Sequence, residues 1–196
     1  MYKTIVKRIF DIILSGLGIL VLILPMCVFA LIVMIEDPGP AVFKQIRCGQ
    51  GKKTFGLLKL RSMRLDTPHD VPTFELEDPE KYILKCGRWM RRFSIDELPQ
   101  LFNVFIGQMS LIGPRPVVLA EENLIELREQ YGANDVKPGI TGWAQINGRD
   151  TLDAEHKAAM DGEYAKNISF QMDMKCLIVT VKKVLKHENV VEGKQW

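Results

Sequence analysis

The most conspicuous pattern in the chain is a run of 24 positions, residues 12–35, that carries no charge and one clearly polar side chain, Ser15. As a helix it would reach roughly 36 Å, against a hydrocarbon core of about 30 Å. A soluble core helix seldom stays apolar on every side for that length, so the run predicts membrane insertion. A cleaved signal peptide fits poorly: its apolar stretch is roughly 7–15 residues, and no small-x-small site follows here. Pro25 falls mid-run, lacks an N–H and crowds the carbonyl of Val21, which predicts a kink. Two arrangements stay open, a plain span with a mild kink or a hairpin that returns to its own side. Lys3, Lys7 and Arg8 precede the run, and Lys44, Arg47, Lys52, Lys53 and Lys59 follow it. Basic residues mark the cytoplasmic side, and a hairpin satisfies both basic flanks.

Beyond the run, Glu36-Asp37-Pro38-Gly39-Pro40 has the composition of a turn and marks a boundary. Residues 41–45 and 54–60 read as two short strands joined by the loop 48–53, a hairpin. Residues 66–80, with three prolines, predict a long surface loop. Helices are expected over 82–92, 121–131 and 153–167, and residues 137–149 are mostly loop. Residues 168–187 form an amphipathic helix in which Met174, Leu177, Ile178, Val181, Val184 and Leu185 recur at helical spacing. That stripe could pack on the core or lie in a membrane interface with lysines at its rim.

Leu98, Leu101, Phe102, Phe105 and Ile106 fall at i, i+3, i+4, i+7 and i+8, which predicts a further helix with one buried face. Ser94 and Glu97 have capping-box spacing, and with Asp96 as N-cap instead, Pro99 falls in the first turn. Either way Asp96 and Glu97 sit at a helix N-terminus. Acidic residues there commonly do no more than complement the helix dipole. Their neighbours suggest more: Arg88, Arg91 and Arg92 lie upstream, and Arg115 lies in Gly113-Pro114-Arg115-Pro116. Carboxylates, free N–H groups and guanidinium groups together suit phosphate chemistry, in which an ionised Asp can accept a phosphoryl group. The dipole and the arginines are expected to lower the Asp96 pKa. His69, His156 and His187 are isolated and read as surface residues.

Composition narrows the classes. Of 196 residues, 47% are hydrophobic and 26% charged, which excludes a mostly disordered chain. Cys27, Cys48, Cys86 and Cys176 lack metal-ligand spacing and suggest reduced thiols. The net charge of +2 is +5 over residues 1–60, 0 over 61–120 and −3 over 121–196. Basic residues beside an apolar run point to anionic lipid headgroups rather than nucleic acid.

Several segments then resemble one family. These are Lys7-Arg8-Ile9-Phe10-Asp11; Lys59-Leu60-Arg61-Ser62-Met63, with Leu60 where Phe is more usual; and Ser94-Ile95-Asp96-Glu97-Leu98-Pro99-Gln100. Met109-Ser110-Leu111-Ile112-Gly113-Pro114-Arg115-Pro116 and residues 137–149 follow, and then the Tyr164 to Lys175 stretch. The chain resembles the monotopic phosphoglycosyl transferases, the bacterial sugar transferase family, in particular its small PglC-like members. The resemblance implies an α+β protein with a re-entrant membrane helix broken at Pro25 (residues 1–36) and a mixed cytoplasmic catalytic domain (37–196) with a β-hairpin and interfacial amphipathic helices. It implies transfer of a sugar-1-phosphate from a UDP-sugar to polyprenyl phosphate, with Mg²⁺, release of UMP and a covalent aspartyl intermediate. By that likeness Asp96 is the nucleophile, and Glu97 is a metal ligand or a base. Lys59, Arg61, Arg91, Arg115, Arg149, Asp161 and Asp173 are substrate-binding candidates, and Asp96 and Glu97 are the candidate metal ligands. The expected location is the cytoplasmic face of a bacterial inner membrane, at the first membrane step of surface glycan assembly, with downstream glycosyltransferases as possible partners. The rival expectation is a non-catalytic membrane adaptor with the same fold.

Overall fold

A computed structural model describes residues 2–67, 78–148 and 151–186. The expected 66–80 loop therefore falls largely outside the described residues, as do Arg149, His69 and His187. The first helix, α1 (Lys7–Glu36), follows a short π-helical turn, Tyr2–Val6. Together they form one helical stretch long and apolar enough to cross a membrane, with a mean hydropathy of 3.0 over its most apolar 18 residues. The expected break at Pro25 is not a break in the helix: α1 runs through Pro25 as one element. A proline removes a single N–H, and the bonds on either side carry the helix past it.

Only Asp11, Ser15, Met26 and Val33 of α1 are buried, while Leu20, Val21 and Leu24 are each at least 70% exposed. A continuous apolar surface of that extent is suited to lipid and not to water. Both ends of α1 are fastened to the rest of the chain. Near its start, Lys7 Nζ pairs with Asp173 at 2.8 Å. Asp11 Oδ1 accepts from Ser110 Oγ and the Leu111 N–H at 3.0 and 2.9 Å. At its end, the Glu36 carboxylate accepts the N–H groups of Lys85 and Cys86 at 2.5 and 3.0 Å. It thereby caps the next helix, α2 (Lys85–Arg92), which has no side-chain cap from its own N-cap residue, Leu84. Asp37 pairs with Arg61, and Val33 packs with Leu60, Leu84 and Met90.

Strands β1 (Val42–Cys48) and β2 (Thr54–Leu60) form the expected antiparallel hairpin, from Val42 opposite Leu60 to Cys48 opposite Thr54. Helix α2 lies close against the segment after β2. A Cβ on Gly87 would come within 2.1 Å of the Ser62 carbonyl, so only glycine permits that approach. Helix α3 (Gln100–Ile106) departs from expectation. Leu101 and Val104 are buried, but so are Gln100 and Asn103, while Phe105 and Ile106 are 45% and 62% exposed. The reason is β2, whose edge Asn103 completes. Its Oδ1 accepts the Leu58 N–H at 3.0 Å, and its Nδ2 donates to the Gly56 carbonyl at 2.8 Å.

Beyond α3, strands β3 (Ser110–Ile112) and β4 (Gly139–Thr141) pair in parallel, and α5 (Trp143–Asn147) follows β4, so the expected 137–149 loop is more ordered than its glycines suggest. Helix α4 (Glu122–Tyr131) packs on α6 (Ala154–Lys166) through Leu124 and Ala158. Helix α7 (Phe170–Lys186) divides its apolar residues. Cys176, Leu177 and Val179 join Ile112, Ile146 and Tyr164 in the core, and Phe170, Ile178, Val181 and Val184 face outward. The expected core packing therefore holds for part of this helix, and the rest of its apolar residues are exposed.

Candidate active site

The acidic pair sits on a sharp reversal. After α2 the chain turns at Ser94, which has φ 55° and ψ 27°, a left-handed conformation in a residue with a Cβ. Such a residue costs roughly 1–2 kcal/mol and persists only where its surroundings hold it. Ile95 supplies that hold by packing on the Val33–Leu60–Leu84–Met90 cluster. The next residues make a 3-10 turn, Ile95–Glu97, with Asp96 buried. Ser94 makes no side-chain capping bond, and Pro99 is the N-cap of α3. The expected capping roles of Ser94 and Asp96 are thus corrected. The pair lies in a separate turn ahead of α3, which leaves both carboxylates available for other partners.

Glu97 Oε1 accepts from Lys59 Nζ at 3.1 Å and from Arg115 Nη2 at 2.9 Å. Lys59 comes from β2, opposite Phe43 in the hairpin register. Arg115 comes from a strap, residues 112–117, whose carbonyls are gripped from outside. Ile112 O accepts from the Tyr164 hydroxyl at 3.1 Å and Pro114 O from the Gly139 N–H at 2.9 Å. Arg115 O accepts from Arg128 Nη1 at 3.0 Å, Pro116 O from Arg47 Nη1 at 3.3 Å, and Val117 O from the Cys48 N–H at 3.0 Å. With Pro114 and Pro116 fixing φ on either side, Arg115 rises from a rigid base.

The electrostatics correct one expectation. The Asp96 carboxyl lies above the usual carboxylate range, first because it is buried and second because Glu97 is beside it. Lys59, Arg91 and Arg115 pull it down and do not prevail. Desolvation was invisible from spacing alone. Burial, then repulsion from Arg115, brings the Arg47 guanidinium down to about 10.

Lys59, Arg91 and Arg115 are therefore brought to the Asp96–Glu97 pair as expected. Three other candidates are engaged elsewhere. Arg61 is buried against Asp37, closing the turn after α1. Asp161 accepts from Arg128 Nε and Nη2 at 2.9 and 2.6 Å. Asp173 accepts from Tyr2, Lys7 and Tyr164 at 2.6 to 2.8 Å. Arg88, far from any buried partner, pairs with Glu80 at the surface. Sequence reasoning missed Arg47, whose charge reaches Arg115 and Glu97. The signal was the alternation of Phe43, Gln45 and Arg47, all half-buried along β1 on the side facing Lys59.

Among the described residues no group of three or more His, Cys, Asp or Glu side chains could form an all-protein metal cage. Two adjacent carboxylates, with Glu97 raising the proton affinity of Asp96, do fit a magnesium ion, which takes one or two carboxylates and completes its shell with water and substrate phosphates.

Comparison with known proteins finds one family and several relatives. The family described as "Bacterial sugar transferase" matches residues 2–187. An uncharacterized sugar transferase of Bacillus subtilis, EpsL, is 41% identical over 187 residues, covering 95% of this chain and 90% of its own. The UDP-glucose:undecaprenyl-phosphate glucose-1-phosphate transferase of Escherichia coli is 42% identical over 91% of this chain. The undecaprenyl-phosphate galactose phosphotransferase of Salmonella typhimurium is 35% identical over 93% of it. This chain spans only 40% and 41% of the length of those two relatives.

Proposed function

The chain belongs to the bacterial sugar transferase family, and from that premise we propose that it transfers a sugar-1-phosphate from a UDP-sugar to polyprenyl phosphate through Asp96. An Asp96 carboxylate oxygen attacks the β-phosphorus of the donor. The bond from that phosphorus to the oxygen bridging the α-phosphate breaks, and UMP leaves with the electron pair. An oxygen of the lipid phosphate then attacks the aspartyl phosphosugar, the bond from phosphorus to Asp96 breaks, and the carboxylate is restored with a polyprenyl diphosphosugar as product. Lys59, Arg91 and Arg115 offset the charge of the phosphates, and the rigid base of Arg115 keeps its guanidinium in place without reorganisation. Asp96 and Glu97 would hold the magnesium ion, which when bound supplies neutralisation of diphosphate charge. A cation there also favours ionised Asp96, opposing the effect of burial.

The observation that carries this reading is the buried Asp96 on a strained turn, with Glu97 bonded to Lys59 and Arg115. Protein incubated with UDP-glucose and Mg²⁺ alone should gain the mass of a hexose phosphate on the peptide carrying Asp96. A panel of UDP-sugars follows if glucose gives nothing. Product formation on adding acceptor, with no adduct from any productive donor, would exclude the covalent route.

For the membrane arrangement, the two attachments of α1 support the re-entrant reading. A straight helix of 30 residues is about 45 Å long. A helix of that length crossing the bilayer would part its ends by the membrane's thickness, yet Lys7 and Glu36 both bond to one folded domain. The outward residues Phe105, Ile106, Phe170, Ile178 and Val181 give that domain further apolar surface for the cytoplasmic leaflet. Cysteines placed at Thr4 and Lys52 should both escape a membrane-impermeant thiol reagent in intact cells and react after lysis. Labelling of either one from outside would establish a span.

A further inference from the structure

Away from Asp96, two cations meet over a glycine. Gly107 ends α3 with φ +93°, a conformation that favours glycine. The point where a Cβ would stand is 3.1 Å from Arg8 Nη2 and 3.5 Å from Lys137 Nζ, so the missing side chain leaves a small cradle between two charges. Arg8 is held from behind: its Nη1 and Nη2 donate to the Val104 and Phe105 carbonyls at 2.6 and 2.7 Å. Lys137 is half-buried, and among the described residues it has no hydrogen-bond acceptor or ion-pair partner. Burial first, and then Arg8, lowers its pKa, and the charge of Asp11 does not make up the difference. Asp11 Oδ1 is already bonded to Ser110 and Leu111. Two neighbouring cations with too little negative charge between them define a place for an anion.

The surroundings indicate the kind of anion. Phe105 and Ile106 beside the cradle, and Ile9 and Ile12 on α1, are all exposed apolar residues. Positions 8, 12 and 16 share one face of α1, and at Gly16 that face meets the Phe105 ring. A charged head at Gly107 would thus have an apolar path beside it. The charges that act on Asp96 are Glu97, Lys59, Arg91 and Arg115, and neither Arg8 nor Lys137 is among them.

We propose that Arg8 and Lys137, meeting over Gly107, clamp a lipid-borne phosphate at a site separate from the Asp96 centre. The proposal rests on the reading that α1 lies in the bilayer. The phosphate belongs either to a membrane phospholipid or to a polyprenyl phosphate.

The test uses the full chain in neutral detergent, unfolded by heat during titration with a short-chain phosphatidylglycerol, polyprenyl phosphate, diacylglycerol or inorganic phosphate. At least one phosphate-bearing lipid should raise Tm saturably, and Lys137→Gln should need about tenfold more of it. Lys137→Arg should restore the parent's midpoint. A shift with phosphatidylglycerol assigns the site to a phospholipid, and a shift with polyprenyl phosphate alone assigns it to the carrier. Equal midpoints in parent and Lys137→Gln would overturn the proposal. So would a failure of Lys137→Arg to restore binding, an equal effect of diacylglycerol or inorganic phosphate, or no shift with any ligand. The readout needs neither transfer activity nor an intact Asp96, so its failure is distinct from failure of the catalytic reading.

Discussion

Asp96→Asn should reduce UMP release from the productive UDP-sugar by at least about 10³-fold, because it removes the attacking oxygen's charge without changing the side chain's shape. The same substitution should make the protein more stable at neutral pH. The folded state raises the Asp96 pKa, through burial and then Glu97, so it binds that proton more tightly than the unfolded chain does. Such a group contributes its full stability below the unfolded carboxyl pKa and loses it as pH rises through the folded value. At pH 7 the ionised carboxylate is therefore a cost, and Asn removes it. Measured in EDTA, the gain should be about 1 kcal/mol, or roughly 2–4 °C in Tm, and it should shrink toward pH 4. UMP release at the parent rate would remove Asp96 as nucleophile. A fall in Tm would show the carboxylate to be a structural partner rather than a group held ready for chemistry.

Asp161→Ala should unfold the protein more readily than any other substitution considered, by about 3–5 kcal/mol, since it leaves the Arg128 guanidinium buried without its carboxylate. A direct substrate ligand would behave differently, with Tm nearly unchanged and a raised KM. Replacing the pair together, Asp161→Leu with Arg128→Met, separates folding from function. Removing both charges should recover most of the lost stability. It also deprives the Arg115 carbonyl of its donor, so UMP release should stay below the parent's even where Tm has returned. Full activity in the double variant would make the pair purely structural.

These two residues mark the boundary of what could be read along the chain. Asp96 was legible because its neighbours in sequence are its neighbours in the site: Glu97 is adjacent and Arg91 is one turn away. The hairpin, α4, α6 and the apolar extent of α1 were legible for the same reason, since period and turn composition are local properties. Asp161 and Asp173 are candidates by family likeness, and a lone carboxylate in a distinctive stretch carries no mark of its partner. Their partners, Arg128, Lys7 and Tyr2, lie 33, 166 and 171 positions away. Arg61 likewise pairs with Asp37, 24 positions away. The outward face of α3 was hidden for another reason. Lipid and core are equally apolar, so the spacing of Phe105 and Ile106 announces a face without saying what covers it.

By itself, then, the sequence determined an apolar helix with basic flanks, a β-hairpin, and an acidic pair set among arginines. Each follows from residues within a few turns of one another. Only the folded chain decided that both ends of that helix fasten to one domain, that burial raises the Asp96 pKa, and that Arg47 lies within reach of Glu97 and Arg115 while Arg61 pairs with Asp37. Burial and charge pairing depend on distances in space between residues far apart in the chain, and no local pattern records those distances.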